Sequence, residues 1–462
     1  MNTCKTGPGL RQGAAGPRDN RLRTESRDTY ELRRDHPDYV AAMERNYGWN
    51  FGALLLDQSF FGLALTLLSY TTVLPYFVRQ LSDRSVYVGL ISAISSAGYF
   101  AAQLPGAYLA HGRARRKPVI VGIAILQRLG LVILACTIGL VNRLPATWVL
   151  VLFFVAMAIK STAEGLIGPA YSDFISKSIP ARRGVYYGVT SIAVGVFGLA
   201  GTHAIKVILA SYSFPLNFGV LFLLGLGMAL ISLVAITAYR EEVFPETPQR
   251  KSFAEFFREI PAVLRGESQF RRLVLVRALV RLGGVAMPFF TMYAIESFGL
   301  GSGAVGEFTL ILTVATMAAA VVAGWCGDRM GYKAVLEAAA LLGGLAPVLI
   351  MVFPDRIVSY VAFALMSLSA SALAVAESNL TMELSPPKET ARFVGIANTV
   401  LAPVVTIGPL VGGWLVDGVS YGALFVMAAS LSLAALLLTR LILEDPRPAE
   451  AARPAAMVNE VC

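Results

Sequence analysis

The chain is divided into twelve long apolar runs by short polar turns, and this division limits what it can fold into more than any other feature. The runs lie at about 50–78, 86–110, 118–141, 146–172, 184–210 and 215–238, then 272–297, 302–326, 333–353, 357–383, 393–416 and 420–442. A helix crosses a bilayer core with roughly 20 apolar residues. Hydrocarbon offers no water to backbone N–H and C=O groups, so a crossing segment must pair them internally, and runs of this length do so as α-helices. The composition agrees: 15% of residues are charged, against about 25% in soluble domains. Most of this surface is therefore expected to face lipid.

The net charge of +9 does not indicate a nucleic-acid partner, because the basic residues sit in short loops between apolar runs. With the N-terminus inside, the short inner loops hold Arg113, Arg115, Arg116, Lys117, Lys177, Arg182, Arg183, Arg329, Lys333, Lys388 and Arg392. The short outer loops hold only Arg79, Arg84, Arg143 and Arg356. This asymmetry predicts cytoplasmic termini. The long connection at about 239–271 is also basic, and Ser252 with Glu255 forms a capping box for a short amphipathic helix carrying Phe253, Phe256, Phe257, Ile260 and Leu264 on one side. Pro261 is expected to kink or shorten it. The expected organisation is a cytoplasmic tail over 1–49, six helices over 50–238, the linker over 239–271, six helices over 272–443 and a second tail over 444–462.

The two sets of six resemble each other. Pro75-Tyr76-Phe77 parallels Pro288-Phe289-Phe290, Val88-Gly89 parallels Val305-Gly306, and Ala163-Glu164 parallels Ala376-Glu377. The turn Gly324-Trp325-Cys326-Gly327-Asp328-Arg329-Met330-Gly331-Tyr332-Lys333 has a degraded counterpart between Gly106 and Lys117, where Ala110 or His111 replaces the acid. Repeats in the same order at similar offsets imply duplication, as in many transporters built from related halves.

Six spans plus six, a long basic middle loop and this turn after spans 2 and 8 resemble the major facilitator superfamily over about residues 50–443. The resemblance implies an all-α membrane protein with twelve transmembrane helices in two pseudo-symmetric six-helix bundles, rocking about a central cavity. It assigns spans 1, 4, 7 and 10 to the cavity and spans 2, 5, 8 and 11 to the moving interface. The turn then acts as a gating loop. Asp328 accepts bonds from a helix N-terminus or an arginine across the interface, Gly324 and Gly331 permit close packing and a tight turn, and Arg329 and Lys333 meet the lipid surface. The other reading of the turn is a topology anchor.

Ionisable groups at mid-membrane cost at least ~2.5 kcal/mol each, so they point to function. Asp57 lies in span 1, Lys160 and Glu164 in span 4, Arg277 and Arg281 in span 7, Glu377 in span 10 and Arg128 in span 3. Asp57, Glu164 and Glu377 are candidate proton carriers, because a carboxylate in a poorly hydrated cavity loads and unloads a proton as access alternates. The alternative is structural: Lys160 and Glu164 as an internal ion pair, Glu377 near enough to the inner surface to meet water, and Arg281 paired with Glu377 or Asp57. Arg128, Lys160 and Arg281 are candidate solute contacts, and Arg281 is the first choice for an anionic group. Arg128 is also placed to reach Asp57. Arg277 and Lys206 are expected to snorkel, and Glu307 to stand in water. In span 11, Gly408, Pro409, Gly412 and Gly413 predict close interface packing, with faint support for export.

No nucleotide loop, nucleophile elbow or paired histidines appear, so no catalytic residues, cofactor or metal site is expected, and the chain is not expected to be an enzyme. The four cysteines are not at metal or redox spacing. The expected function is a proton-coupled secondary transporter of a small organic solute, with efflux favoured. Uptake symport or facilitated diffusion is the alternative within the class, and a sensor or accessory protein that kept the fold is the alternative outside it. Expected partners are the solute, protons and the lipid bilayer, without nucleic acid, as a monomer in a bacterial plasma (inner) membrane.

Overall fold

The computed structural model describes residues 35–110, 113, 115–178, 183–243, 253–385 and 390–445. Twelve helices within these residues are long and apolar enough to cross a membrane. Spans 1 to 6 comprise Pro37–Leu67 (continued by Val73–Arg79), Val86–Ala110, Lys117–Ile138, Ala146–Ser178, Arg183–Ser211 and Leu216–Ala238. The linker helix Phe253–Gly266 runs through Pro261 without ending there. Span 7 is Ser268–Gly283 and Met287–Phe298, joined by one tight turn at Gly284–Ala286. Spans 8 to 12 are Ala304–Met330, Tyr332–Val352, Arg356–Glu383, Thr390–Gly418 and Tyr421–Ile442. Helices of 21 to 33 residues, rising about 1.5 Å per residue, are long enough for a hydrocarbon core of about 30 Å.

Span 1 begins at Pro37 rather than near residue 50. Polar side chains hold this extension. Asn46 donates to Glu242 at 3.0 Å, Asn50 donates to the Arg240 carbonyl at 3.0 Å, and the Trp49 indole donates to the Ala238 carbonyl at 2.8 Å. The duplication is visible as paired breaks in spans 1 and 7. Each break is followed by a proline-aromatic segment buried in its own half: Phe77 against Phe153, Phe218 and Phe222, and Phe290 against Phe425. His111, Gly112, Arg182, Lys388 and Ser252 lie outside the described residues.

Close approaches fix the packing. A Cβ on Gly165 would lie 2.3 Å from the Tyr99 carbonyl oxygen, so spans 2 and 4 pack backbone to backbone within the N-terminal half. A Cβ on Gly89 would lie 2.1 Å from the Pro409 carbonyl oxygen, and one on Gly413 2.6 Å from Val86 Cα, which joins span 2 to span 11 across the halves. Gly408 and Gly412 face Val285 of span 7 instead, so only part of the span 11 pattern serves the interface between halves.

The face opposite the linker is closed by polar contacts between the halves. Arg79 pairs with Glu296 at 2.6 Å, and Glu296 also accepts from the Tyr421 hydroxyl at 2.9 Å. Asp417 accepts the backbone N–H groups of Ser85 and Val86 at 2.6 and 2.9 Å, at the start of span 2. Lys206 and Glu307 are both partly exposed and meet across the halves. They pair at 2.8 Å, and Tyr360 donates to Glu307 at 2.6 Å. Thr72 and Thr309 share a buried hydrogen bond of 2.7 Å. Spans 5 and 8 touch at Gly195 with Met317 and at Gly306 with Lys206. In their linker-side halves, a Cβ added at Gly188 or Gly324 would meet no heavy atom within 4 Å, so the two helices part toward the linker face.

Substituting Gly165→Val should destabilise the N-terminal half by ~1–3 kcal/mol through overpacking, seen as a lower midpoint in thermal unfolding. Gly89→Val should instead oppose closure of the face away from the linker. Labelling of a Ser92→Cys thiol from that face, in a background lacking the native cysteines, should rise; unchanged labelling would show that this contact does not govern closure.

Candidate functional site

Two charge clusters lie inside the helices, one in each half. In the N-terminal half, the Asp57 carboxylate accepts from the Ser232 hydroxyl at 2.6 Å and the Tyr171 hydroxyl at 2.7 Å. Arg128 does not pair with Asp57 directly. Its guanidinium donates to the same Ser232 oxygen at 2.9 Å and to the Ala229 carbonyl at 3.0 and 3.1 Å, so one hydroxyl relays between them. Arg128 also donates to the Gln127 side-chain oxygen and lies over the Phe61 ring. Gln127 in turn donates to Glu164 at 2.9 Å, and Lys160 pairs with the same Glu164 oxygen at 2.7 Å. The result is one continuous hydrogen-bonded chain from Lys160 through Glu164, Gln127, Arg128, Ser232 and Asp57 to Tyr171. Two acids and two bases balance within it. A cavity of about 430 Å³ borders it, lined by Asp57, Gln127, Arg128, Glu164, Tyr171 and Ser232 among others.

In the C-terminal half, Arg281 grips Glu377 with two parallel bonds of 2.9 and 2.5 Å, the bidentate geometry that suits a guanidinium to a carboxylate. Arg277 approaches the same carboxylate at 3.3 Å. Arg277 therefore does not snorkel. It is 4% exposed, and it donates to Thr381 at 3.2 Å and Asn398 at 3.4 Å. The reason lies in its helical position: four residues before Arg281, it presents to the same side of span 7. Asn398 donates onward to Gln103 of span 2 at 2.7 Å, and Arg281 lies 5.3 Å from the Phe100 ring centroid. The cluster thus touches the N-terminal half at two points. It holds two arginines and one acid, in contrast to the balanced cluster opposite.

A second cavity of about 170 Å³ lies between the halves, bounded by Tyr70, Ser92 and Ser96 on one side and Arg281, Met366 and Leu373 on the other. Of the spans that the resemblance assigns to the cavity, 1, 7 and 10 supply part of this wall and span 4 supplies none of its lining residues; spans 2 and 11 supply the rest. Lys160 is not among the lining residues of either cavity.

The gating loop is arranged differently from expectation. Asp328 accepts from the Tyr332 hydroxyl at 2.8 Å, within its own half. Gly331 has φ +92°, a backbone conformation that L side chains rarely adopt, so the tight turn requires glycine there. A Cβ added at Gly324 would meet no heavy atom within 4 Å; the close approach is made by Gly327, where a Cβ would lie 2.2 Å from the Tyr332 ring. Arg329 stacks over Trp325 at 4.3 Å, and Lys333 follows in the first turn of span 9.

Reasoning from charge alone passed over Gln127, Tyr171, Ser232, Gln103 and Asn398. Gln127 and Asn398, amides inside apolar spans, were the available signal.

Residues 58–293 and 273–459 match the family model described as Major Facilitator Superfamily. Over 173 residues, 36% of this chain and 40% of the relative, it is 30% identical to a "Na(+), Li(+), K(+)/H(+) antiporter" of Planococcus maritimus. Over 116 residues, 25% of this chain and 17% of the relative, it is 30% identical to an uncharacterised MFS-type transporter of Mycobacterium tuberculosis. The chain thus matches less than half the length of these relatives. Among solved structures, a POT family transporter in complex with 5-aminolevulinic acid superposes with a TM-score of 0.68 at 15% identity, covering 85% of this chain and 95% of that one. The human organic anion transporter MFSD10 gives 0.62 at 18% identity, covering 85% and 99%. Such low identities establish the fold alone, but with the family model matched along nearly all of the helical region, this integral membrane protein belongs to the Major Facilitator Superfamily of transporters.

Proposed function

We propose that the chain is a proton-coupled secondary transporter that moves a small organic solute by alternating access. Residues 50–238 and 272–443 act as the two moving bodies, and 239–271 tethers them. The observation that carries this reading is the Glu377 carboxylate held by two arginines, one of which, Arg281, also lines the cavity between the halves. Adding a proton to Glu377 removes the charge that grips Arg281 and frees its guanidinium for the solute. Asp57 and Glu164 remain candidate carriers on the cavity of the other half. Glu164 is committed to Lys160 at 2.7 Å, whereas Asp57 meets two hydroxyls and no cation within ion-pair distance among the described residues. The antiporter among the relatives supports coupling to protons in general. A partner acid that shares its arginine with the solute makes proton and solute load together. This favours co-transport over the export reading, whose glycine-proline support in span 11 is divided between two packing contacts.

The contacts at the face away from the linker must break in each cycle. The Asp328 turn is proposed to latch the opposite face when that face closes; with spans 5 and 8 parted there, Asp328 is turned to Tyr332. The protein is placed as a monomer in a bacterial plasma membrane with both termini cytoplasmic, which the basic loops on the linker side support.

Two outcomes test the proposal in proteoliposomes screened with a mixed metabolite pool. Glu377→Gln should abolish solute accumulation driven by a pH gradient while solute exchange persists, and full gradient-driven accumulation in this variant would remove the carrier role. Asp328→Asn should lower turnover about tenfold, ~1.4 kcal/mol in the barrier, with little change in solute affinity; an unaltered turnover number would eliminate the latch.

A further inference from the structure

The cavity between the halves has an uneven chemistry. Arg281 is the one charged side chain among its lining residues, and no acid lines it. The cluster behind Arg281 carries two guanidinium groups and one carboxylate, so a positive charge is left over in apolar surroundings. On the other half's wall, Ser92 is buried at 8% exposure and its hydroxyl has no hydrogen-bond partner among the described residues. Leaving a buried hydroxyl unpaired costs about 1–3 kcal/mol, a cost that a bound acceptor would remove. Much of the remaining wall is apolar, including Met366, Leu373 and Val405. The volume, about 170 Å³, is slightly above the roughly 150 Å³ that admits benzene in a dry protein cavity.

We infer that the solute is a small monocarboxylate with a compact apolar body, its carboxylate between Arg281 and Ser92 and its body against Met366, Leu373 and Val405. This rests on the placement of the solute in the cavity between the halves under the proposed function. A cation would meet like charge from Arg281. The ammonium of an amino acid would find no carboxylate on the wall and would be buried unpaired. A carboxylate takes over from Glu377 the bidentate geometry that the guanidinium already adopts. The solute anion and the proton on Glu377 therefore enter as a neutral pair, and the net charge of the cluster is unchanged by loading.

Benzoate and benzamide have the same heavy-atom count and shape and differ in charge, so they separate the carboxylate contribution from apolar filling. Titration calorimetry on the full-length purified protein in detergent, in weak buffer with a pH indicator, should show benzoate binding about tenfold or more tighter than benzamide, with proton uptake from solution. Ser92→Ala should weaken benzoate about three- to tenfold and leave benzamide unchanged; Arg281→Gln should erase the preference. Equal binding of the two probes, or a full benzoate preference retained in both variants, would overturn the carboxylate assignment. Benzoate binding without proton uptake would leave the carboxylate site standing and defeat proton coupling at Glu377. Proton-coupled movement of other solutes by a protein that binds no benzoate would defeat the carboxylate assignment alone.

Discussion

A charge buried among apolar helices must find a partner or leave, and this requirement organises the interior of the protein. Removing one member of a buried pair costs about 3–5 kcal/mol. That cost ties helices to one another more specifically than apolar contact does, because lipid tails offer the same apolar contact. Arg128 joins span 3 to span 6, Asp57 joins span 1 to spans 4 and 6, and Arg277 and Arg281 join span 7 to span 10. Each link is also a constraint on rotation, so each half can move as a body without its helices slipping.

The two halves share a fold and differ in how they settle their charges. In the N-terminal half the acids and bases balance through a chain of amide and hydroxyl relays, and Glu164 is held by a lysine of its own helix. In the C-terminal half the equivalent acid, Glu377, is held from another helix by two arginines. The duplicated Ala-Glu pair therefore differs between the halves in the partners that hold its acid. An ion pair within one helix survives any rigid-body motion of that helix. A pair between spans 7 and 10, tied through Asn398 and Gln103 to span 2, can respond when the interface moves.

Much of this was legible in the sequence. Hydropathy period and length fixed the helices, because the bilayer imposes one solution on an apolar run. The titratable residues were legible because an intramembrane charge is rare. Their partners were not. Arg277 reads as a snorkelling residue from its place near the end of an apolar run, and only the packed structure shows that its side chain points to Glu377. Arg128 reads as reaching Asp57, and a serine in span 6 stands between them. Glu296 and Asp417 lie in the last turns of spans 7 and 11, where an acid looks solvated, yet they bridge the halves. Span 1 starts earlier than its apolar run because Asn46 and Asn50 find polar partners just beyond the end of span 6.

The contacts on the face away from the linker set a condition on the cycle. Arg79 with Glu296 and Lys206 with Glu307 are partly exposed pairs, and such pairs contribute about 0–1 kcal/mol each. Asp417 adds a helix-terminus contact of about 0.3–1 kcal/mol. Several weak contacts hold this face shut without making it costly to open, and water can replace each polar group as the face parts. The Gly89–Pro409 contact behaves differently, since it gains only through backbone approach and is lost at small separations. Closure is therefore steep with distance and shallow in energy, and a loading event worth a few kcal/mol in the cavity is enough to tip it.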